Sequence, residues 1–64
     1  MQTTYIIDGI SDEDTRYCLV GFGNGWSAER REKTEDGRWI TVWATAILPN
    51  KYACRLAIRN AFGK

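Results

Sequence analysis

Arg38–Ala46, which reads RWITVWATA, is the strongest predicted strand in this sequence of 64 residues. Side chains alternate between the two faces of an extended chain, so the stretch divides into two sets. One set is Trp39, Thr41, Trp43 and Thr45, and the other is Ile40, Val42, Ala44 and Ala46. Both sets contain aromatic, β-branched or small apolar residues, which suit a pleated surface. The stretch therefore predicts a central strand in a sheet that is covered on both faces.

Two stretches before this strand also show the alternation that is typical of strands. They are Thr3–Asp8, which reads TTYIID, and Arg16–Phe22, which reads RYCLVGF. The acidic segment Gly9–Thr15 between them has no apolar period and is predicted to be a loop. Gly23-Asn24-Gly25 follows the second stretch, and an Asn-Gly pair between strand patterns is a strong hairpin signal.

The charged stretch Trp26–Glu35 is open to two interpretations. Its serine could cap a short helix, but Asp36-Gly37 is a second hairpin turn that leads directly into the strong strand, which favours a strand. A two-residue turn places Arg30 opposite Trp43 and Glu32 opposite Thr41. Because it carries charges on both faces, this stretch is predicted to be an exposed edge strand.

A single helix is predicted at the end of the chain. Pro49 ends the sheet, because proline cannot donate to a strand ladder. Asn50 is a suitable N-cap for a helix over Lys51–Phe62, and Gly63 suits the position after it. These elements predict an α+β fold, namely a single domain with a three- or four-stranded antiparallel meander and one helix packed on one face.

Length and composition limit the classes of function. A domain of about 60 residues buries only roughly 60% of its unfolded surface, and small domains often add a disulfide, a metal or a partner. Cys18 and Cys54 lack the spacing of a zinc site, and the sequence contains no histidine. No signal peptide or membrane-length apolar run is evident. We therefore expect a cytoplasmic protein with reduced, structural thiols and no bound metal or cofactor.

Catalysis has little support in the residue types. Without histidine there is no side chain whose ordinary pKa lies near neutral pH to serve as a general base. Both cysteines lie in apolar stretches, where a thiol is usually inert. A glycine-rich GFGNG segment completes no phosphate-binding motif. We therefore predict a protein that is not an enzyme.

The predicted sheet has two apolar faces and one short helix to cover them. The first face carries Tyr5, Ile7, Tyr17, Leu19, Trp39 and Trp43, and the second carries Ile6, Cys18, Val20, Phe22, Ile40 and Val42. The helix is rich in alanine, so bulky indoles would fill the space beneath it, which favours the first face as the core. The other face would then be an exposed apolar patch of the kind that marks interaction sites. Alternatively, the helix covers the second face, or the N-terminal strand and the 26–35 segment bury what remains.

The charges are distributed unevenly, although the net charge is only +1. The first 16 residues carry four acids and one arginine, whereas the stretch from Asn50 to the end carries four basic residues and no acid. Such a distribution would steer an acidic partner towards the helix. Arg55 and Arg59 lie one helical turn apart with no acid in the helix to pair with.

These features lead to the hypothesis of a small regulatory or inhibitory protein that binds another protein, with a second copy of itself as a further candidate partner. The predicted binding residues are Tyr17, Trp39, Trp43, Tyr52, Arg55 and Arg59. Compact chains of this kind are common among accessory proteins of phages and mobile elements, which makes such an origin a hypothesis by association. The alternative is a nucleic-acid-binding module that uses the sheet aromatics with Arg55, Arg59 and Lys64.

Overall fold

The computed structural model describes residues 4–6 and 12–63, and side chains are described for the second range. Its elements are β1 (Thr4–Ile6), β2 (Thr15–Phe22), β3 (Gly25–Lys33), β4 (Trp39–Ala44) and α1 (Lys51–Phe62). Each strand pairs antiparallel with the next, in the order β1-β2-β3-β4. The predicted α+β fold, a meander with one helix packed on it, is confirmed. The rest of the predicted first strand, and part of the loop after it, lie outside the described residues.

The interior strands of the sheet are β2 and β3, and the prediction that Arg38–Ala46 is central is wrong. β2 pairs with β1 on one side and β3 on the other, and its residues from Tyr17 to Gly21 are all buried. β4 is the last strand of the described sheet and is mostly exposed. Apolar alternation shows that a segment is a strand, whereas its place in the sheet depends on which hairpins flank it.

The ambiguous stretch 26–35 forms β3, which confirms the prediction of a strand. It is not an edge strand, however, because it lies between β2 and β4. Its charges pair along the strand two residues apart. Arg31 donates to Glu29 at 2.8 Å, and Arg30 donates to Glu32 at 2.9 Å. These side chains reach past the sheet to solvent, so an interior strand can carry them.

The hairpin between β3 and β4 has one residue more in its turn than predicted. The backbone N–H of Thr34 donates to the carbonyl of Arg38, which leaves residues 35–37 as the turn. Gly37 has φ +85°, the left-handed region that glycine enters without a steric penalty. A turn of three residues that ends in such a position is a common hairpin connection. It shifts the pairing by one residue, so Glu32 lies opposite Ile40, and the predicted Glu32–Thr41 pair is wrong.

A bulge in β4 then reverses this shift. Arg31 pairs with Thr41 and Arg30 with Trp43, which leaves Val42 as the extra residue. The predicted pairing of Arg30 with Trp43 is therefore confirmed. The bulge has a further effect, because an extra residue changes which face each side chain occupies. Trp39 and Trp43 consequently lie on opposite faces, and the prediction that they share one is wrong.

The core lies between the sheet and α1. Its buried members are Tyr17, Leu19, Ala28, Cys54 and Ile58, and Trp26, Trp43, Leu48 and Phe62 pack against them. The helix therefore covers the predicted first face, with large aromatic side chains around the small residues of α1. Tyr17, Leu19 and Trp43 are in the predicted core, while Trp39 is outside it because of the bulge.

The opposite face of β2 is also buried, so the prediction of an exposed apolar patch there is wrong for Cys18 and Val20. These two residues are 1% and 3% exposed. Cys18 lies directly across from Glu29, whose carboxylate accepts from Arg31 on the same face. Long, paired polar side chains thus share this face with the apolar residues of β2.

The bounds of α1 match the predicted Lys51–Phe62. The Asn50 side chain accepts a hydrogen bond from the backbone N–H of Ala53 at 2.8 Å, as expected for an N-cap. At the other end, the Gly63 N–H donates to the carbonyl of Arg59 at 2.8 Å. A Cβ at Gly63 would lie 2.7 Å from that carbonyl oxygen, so glycine is favoured there by close approach.

Candidate protein-binding surface

The outward side of α1 combines apolar and cationic side chains. Cys54 and Ile58 point into the core and are fully buried. Because an α-helix has 3.6 residues per turn, the residues on the opposite side are neighbours at spacings of three and four. Four of them, Tyr52, Arg55, Leu56 and Arg59, form what we call the outer helix surface, and all four are exposed.

The apolar half of the outer helix surface is formed by Tyr52 and Leu56. Tyr52 is 70% exposed and Leu56 is 42% exposed, and the two lie one helical turn apart. Single exposed apolar residues are normal on a protein surface. Here, however, two of the six large exposed apolar side chains of the described chain adjoin each other and two arginines.

The cationic half consists of Arg55 and Arg59. The three ion pairs found within residues 12–63 lie on β3 or in the turn after it, and none involves Arg55 or Arg59. No aspartate or glutamate occurs in the helix sequence. Both guanidinium groups are therefore available for a carboxylate or phosphate from outside the described chain.

Tyr17 and Trp43 belong to the core rather than to an accessible surface. Tyr17 is 3% exposed, its hydroxyl accepts from Arg30 at 2.6 Å, and its ring packs against Phe62. Trp43 meets Phe62 edge-on, with 4.9 Å between the ring centroids. The binding role predicted for Tyr17 does not fit this burial, since no partner can reach its side chain in the folded protein.

Trp39 lies apart from the other predicted binding residues, on the sheet face opposite α1. The guanidinium carbon of Arg16 lies 3.7 Å from the centroid of the indole, so the cation covers one face of the ring. The structure thus brings three of the six predicted residues together, namely Tyr52, Arg55 and Arg59, and separates them from Tyr17, Trp39 and Trp43.

Leu56 is the residue of the outer helix surface that sequence reasoning missed. Its signal was its position four residues after Tyr52 and next to Arg55. An apolar residue in a helix is normally assigned to the core, but Leu56 lies about half a turn away from Cys54 and Ile58. The buried face of α1 is instead centred on those two residues.

An open depression of about 660 Å³ lies at the turn between β3 and β4. It is lined by Asp14, Lys33, Thr34, Glu35, Asp36 and Gly37. The Thr34 hydroxyl donates to the Asp36 carboxylate, which lowers the pKa of that carboxyl. In residues 12–63, no group of three histidine, cysteine or acidic side chains is arranged to hold a metal ion.

The two cysteines are free thiols on opposite sides of the sheet, each almost fully buried. Burial raises the pKa of Cys54, and burial likewise raises the pKa of Cys18 despite the opposing effect of the Arg31 charge. A raised pKa keeps a thiol protonated and unreactive. Both thiols are free and buried, and a purely structural role for them stays a prediction.

None of the helices in the described part of the chain has the length and apolar character needed to cross a membrane. Comparisons with protein-family models, with curated proteins and with solved structures found no match to this chain.

Proposed function

We propose that this chain is a small, non-enzymatic regulatory or inhibitory protein that acts by binding another protein. The contact surface is the outer helix surface, and the partner presents acidic side chains beside apolar ones. The observation that carries the proposal is the pairing of exposed Tyr52 and Leu56 with two arginines that have no ion-pair partner in the described chain. Exposed aromatic residues and arginines are enriched among residues that dominate binding energy.

The physical basis is the contact of an amphipathic helix with an apolar stretch of its partner. Side chains at i and i+4, here Tyr52 and Leu56, would pack as anchors against the apolar side chains of the partner. The arginines beside them would form charge-assisted hydrogen bonds with the carboxylates of the partner. The proposal places the protein in the cytoplasm, where its two free thiols stay reduced.

The geometry does not favour the alternative, a nucleic-acid-binding module. Base stacking needs accessible aromatic rings. Tyr17 is buried, Trp43 packs edge-on against Phe62, and Arg16 covers Trp39. The net charge of +1 also provides little long-range attraction to phosphates.

The test is a double charge reversal, Arg55→Glu with Arg59→Glu. The control, Lys33→Glu with Arg38→Glu, makes the same change in net charge at two exposed positions beside the turn between β3 and β4. Circular dichroism should show both variants folded. Binding to an acidic peptide with leucine anchors is then titrated at low and high salt. We expect the helix variant to lose affinity by about tenfold or more at low salt, and the control to change little.

A DNA duplex serves as the second probe in the same titration. Equal loss of peptide affinity in both variants would mean that only net charge matters, which would contradict the proposal. Tight DNA binding by the wild-type protein, with an affinity that falls steeply as salt is raised, would make the nucleic-acid alternative the better one.

A further inference from the structure

The outer edge of β4 has no strand beside it in the described part of the chain. β4 pairs with β3 on one side and ends the sheet on the other. Ile40 and Val42 are 49% and 45% exposed along this strand. An edge strand of this kind presents unpaired backbone N–H and C=O groups to solvent, together with apolar side chains.

Natural edge strands usually carry protection against pairing, such as lysine, proline or another charge. No residue from Trp39 to Leu48 is charged, and Pro49 follows only after the strand has ended. The bulge at Val42 is the one protective feature in the strand, and the residue it inserts is apolar.

The helix leaves this edge accessible. α1 packs over β2 and β3. Its aromatic contact with β4 joins Phe62 to Trp43, on the face of the sheet that α1 covers. A strand that approaches in the plane of the sheet would therefore meet the backbone of β4 without displacing α1. The outer helix surface points away from the sheet, so the two surfaces are separate.

We propose that two copies of this chain associate by antiparallel pairing of their β4 edges about a two-fold axis, which joins two four-stranded sheets into one. A two-fold axis sets the same strand against itself, so any charge in the strand would lie near its own copy. Like charges across paired strands are destabilising. Because β4 is uncharged, two copies of it can pair without this repulsion. An uncharged strand also offers nothing to attract a charged partner, so a second copy is favoured.

The bulge indicates where the axis lies. With the axis at Val42, the regular segments on either side pair with each other, so Ile40 lies opposite Ala44 of the second copy. Arg38, just outside the strand, would lie opposite Ala46 rather than opposite another arginine. The inference goes beyond the proposed function, since it concerns a different surface and a different partner.

The interface would be small, because β4 has only six residues. Interfaces below about 1,200 Å² are generally weak and transient. We therefore expect a dissociation constant between about 10 µM and 1 mM. Sedimentation equilibrium of the wild-type protein across this range should show a reversible change from monomer to dimer, and no larger species.

Val42→Lys is the test variant, and Leu56→Lys on the outer helix surface is the matched control. We expect Val42→Lys to remain monomeric at concentrations where the wild type and the control are dimeric. A wild type that stays monomeric throughout the range would overturn the proposal. Loss of the dimer in Leu56→Lys but not in Val42→Lys would also overturn it, because the contact would then lie on the helix.

A second measurement applies if Val42→Lys does not fold. Val42→Cys should be joined to a second copy by a short bis-maleimide at concentrations where the dimer forms, whereas Leu56→Cys should not. Cys18 and Cys54 are buried, so they should not react with the bis-maleimide in either variant. Hydrogen exchange at the amides of residues 40–44 should slow as protein concentration rises; exchange that does not depend on concentration would contradict strand pairing.

The dimer and the proposed function can fail separately. The Arg55→Glu with Arg59→Glu variant should still form the dimer but bind the acidic peptide weakly. The Val42→Lys variant should remain monomeric but bind the acidic peptide as the wild type does.

Discussion

At the scale of single residues, Arg30 joins the helix to the sheet. Its guanidinium donates to the Tyr17 hydroxyl at 2.6 Å and to Glu32 at 2.9 Å. Its carbon also lies 4.6 Å from the centroid of the Phe62 ring, at the C-terminal end of α1. The hydrogen bond that Arg30 donates to the Glu32 carboxylate raises the pKa of Arg30, so the cation is present at every physiological pH.

We predict that Arg30→Met lowers the free energy of unfolding by about 1.5–3 kcal/mol, since it removes a charged donor from a buried hydroxyl. Arg38→Met is the control, because the Arg38 side chain is 80% exposed and its ion pair with Asp36 lies in solvent, where such pairs contribute little. Urea unfolding followed by tryptophan fluorescence measures both. Equal effects in the two variants would show that the contacts of Arg30 add nothing beyond a surface charge.

At the scale of elements, β4 shows how two offsets of one residue determine where side chains lie. The turn of three residues shifts the pairing in one direction, and the bulge at Val42 shifts it back. The stretch between the two offsets has its faces exchanged relative to a regular hairpin. Trp39 therefore packs with Arg16 on one face, and Trp43 packs with Phe62 on the other.

This arrangement predicts different effects for the two tryptophans. Trp43→Ala should cost about 2–4 kcal/mol, because it removes an indole from the edge of the core. Trp39→Ala should cost about 1 kcal/mol, mainly through the contact with Arg16. Circular dichroism during thermal or urea unfolding measures both. If Trp39→Ala were as costly as Trp43→Ala, both rings would have to lie beneath the helix, contrary to the observed register.

At the scale of the whole molecule, the sheet separates two buried layers that each contain a thiol. Cys54 lies on the inner side of α1, between the helix and the sheet, and Cys18 lies on the other face of the sheet beside the Glu29–Arg31 pair. Burial raises the pKa of both from an ordinary value of 9.0. Thiolate formation is thus disfavoured in the folded state on both sides of the sheet.

It follows that stability should fall as the pH rises above about 9, because the unfolded chain releases thiol protons that the folded chain retains. Below that pH the thiols are protonated in both states and contribute no pH dependence. We expect the urea midpoint to decrease between about pH 9 and pH 10. The Cys18→Ala with Cys54→Ala variant should lose less stability over this interval, and an identical loss in both proteins would assign the effect to other groups.

The sequence alone determined the features that depend on neighbouring residues. The Asn50 cap, the helix over Lys51–Phe62 and the hairpin turns follow from local backbone preferences, which act over three or four positions. The 3.6-residue period also directed Arg55 and Arg59 outward from the core. The α+β meander follows from the order of these elements, because short turns join antiparallel neighbours.

The tertiary structure alone decided which strands are interior, where the bulge lies and which side chains of each face are buried. Alternation assigns residues to two faces but carries no information on what packs against each one, so Tyr17 was assigned to a binding surface although it is buried. One extra residue in a turn or strand moves every later side chain to the other face until a second offset reverses it. The position of Trp39 therefore depends on the pairing of β4 with β3, a contact between segments distant in sequence that local patterns do not specify.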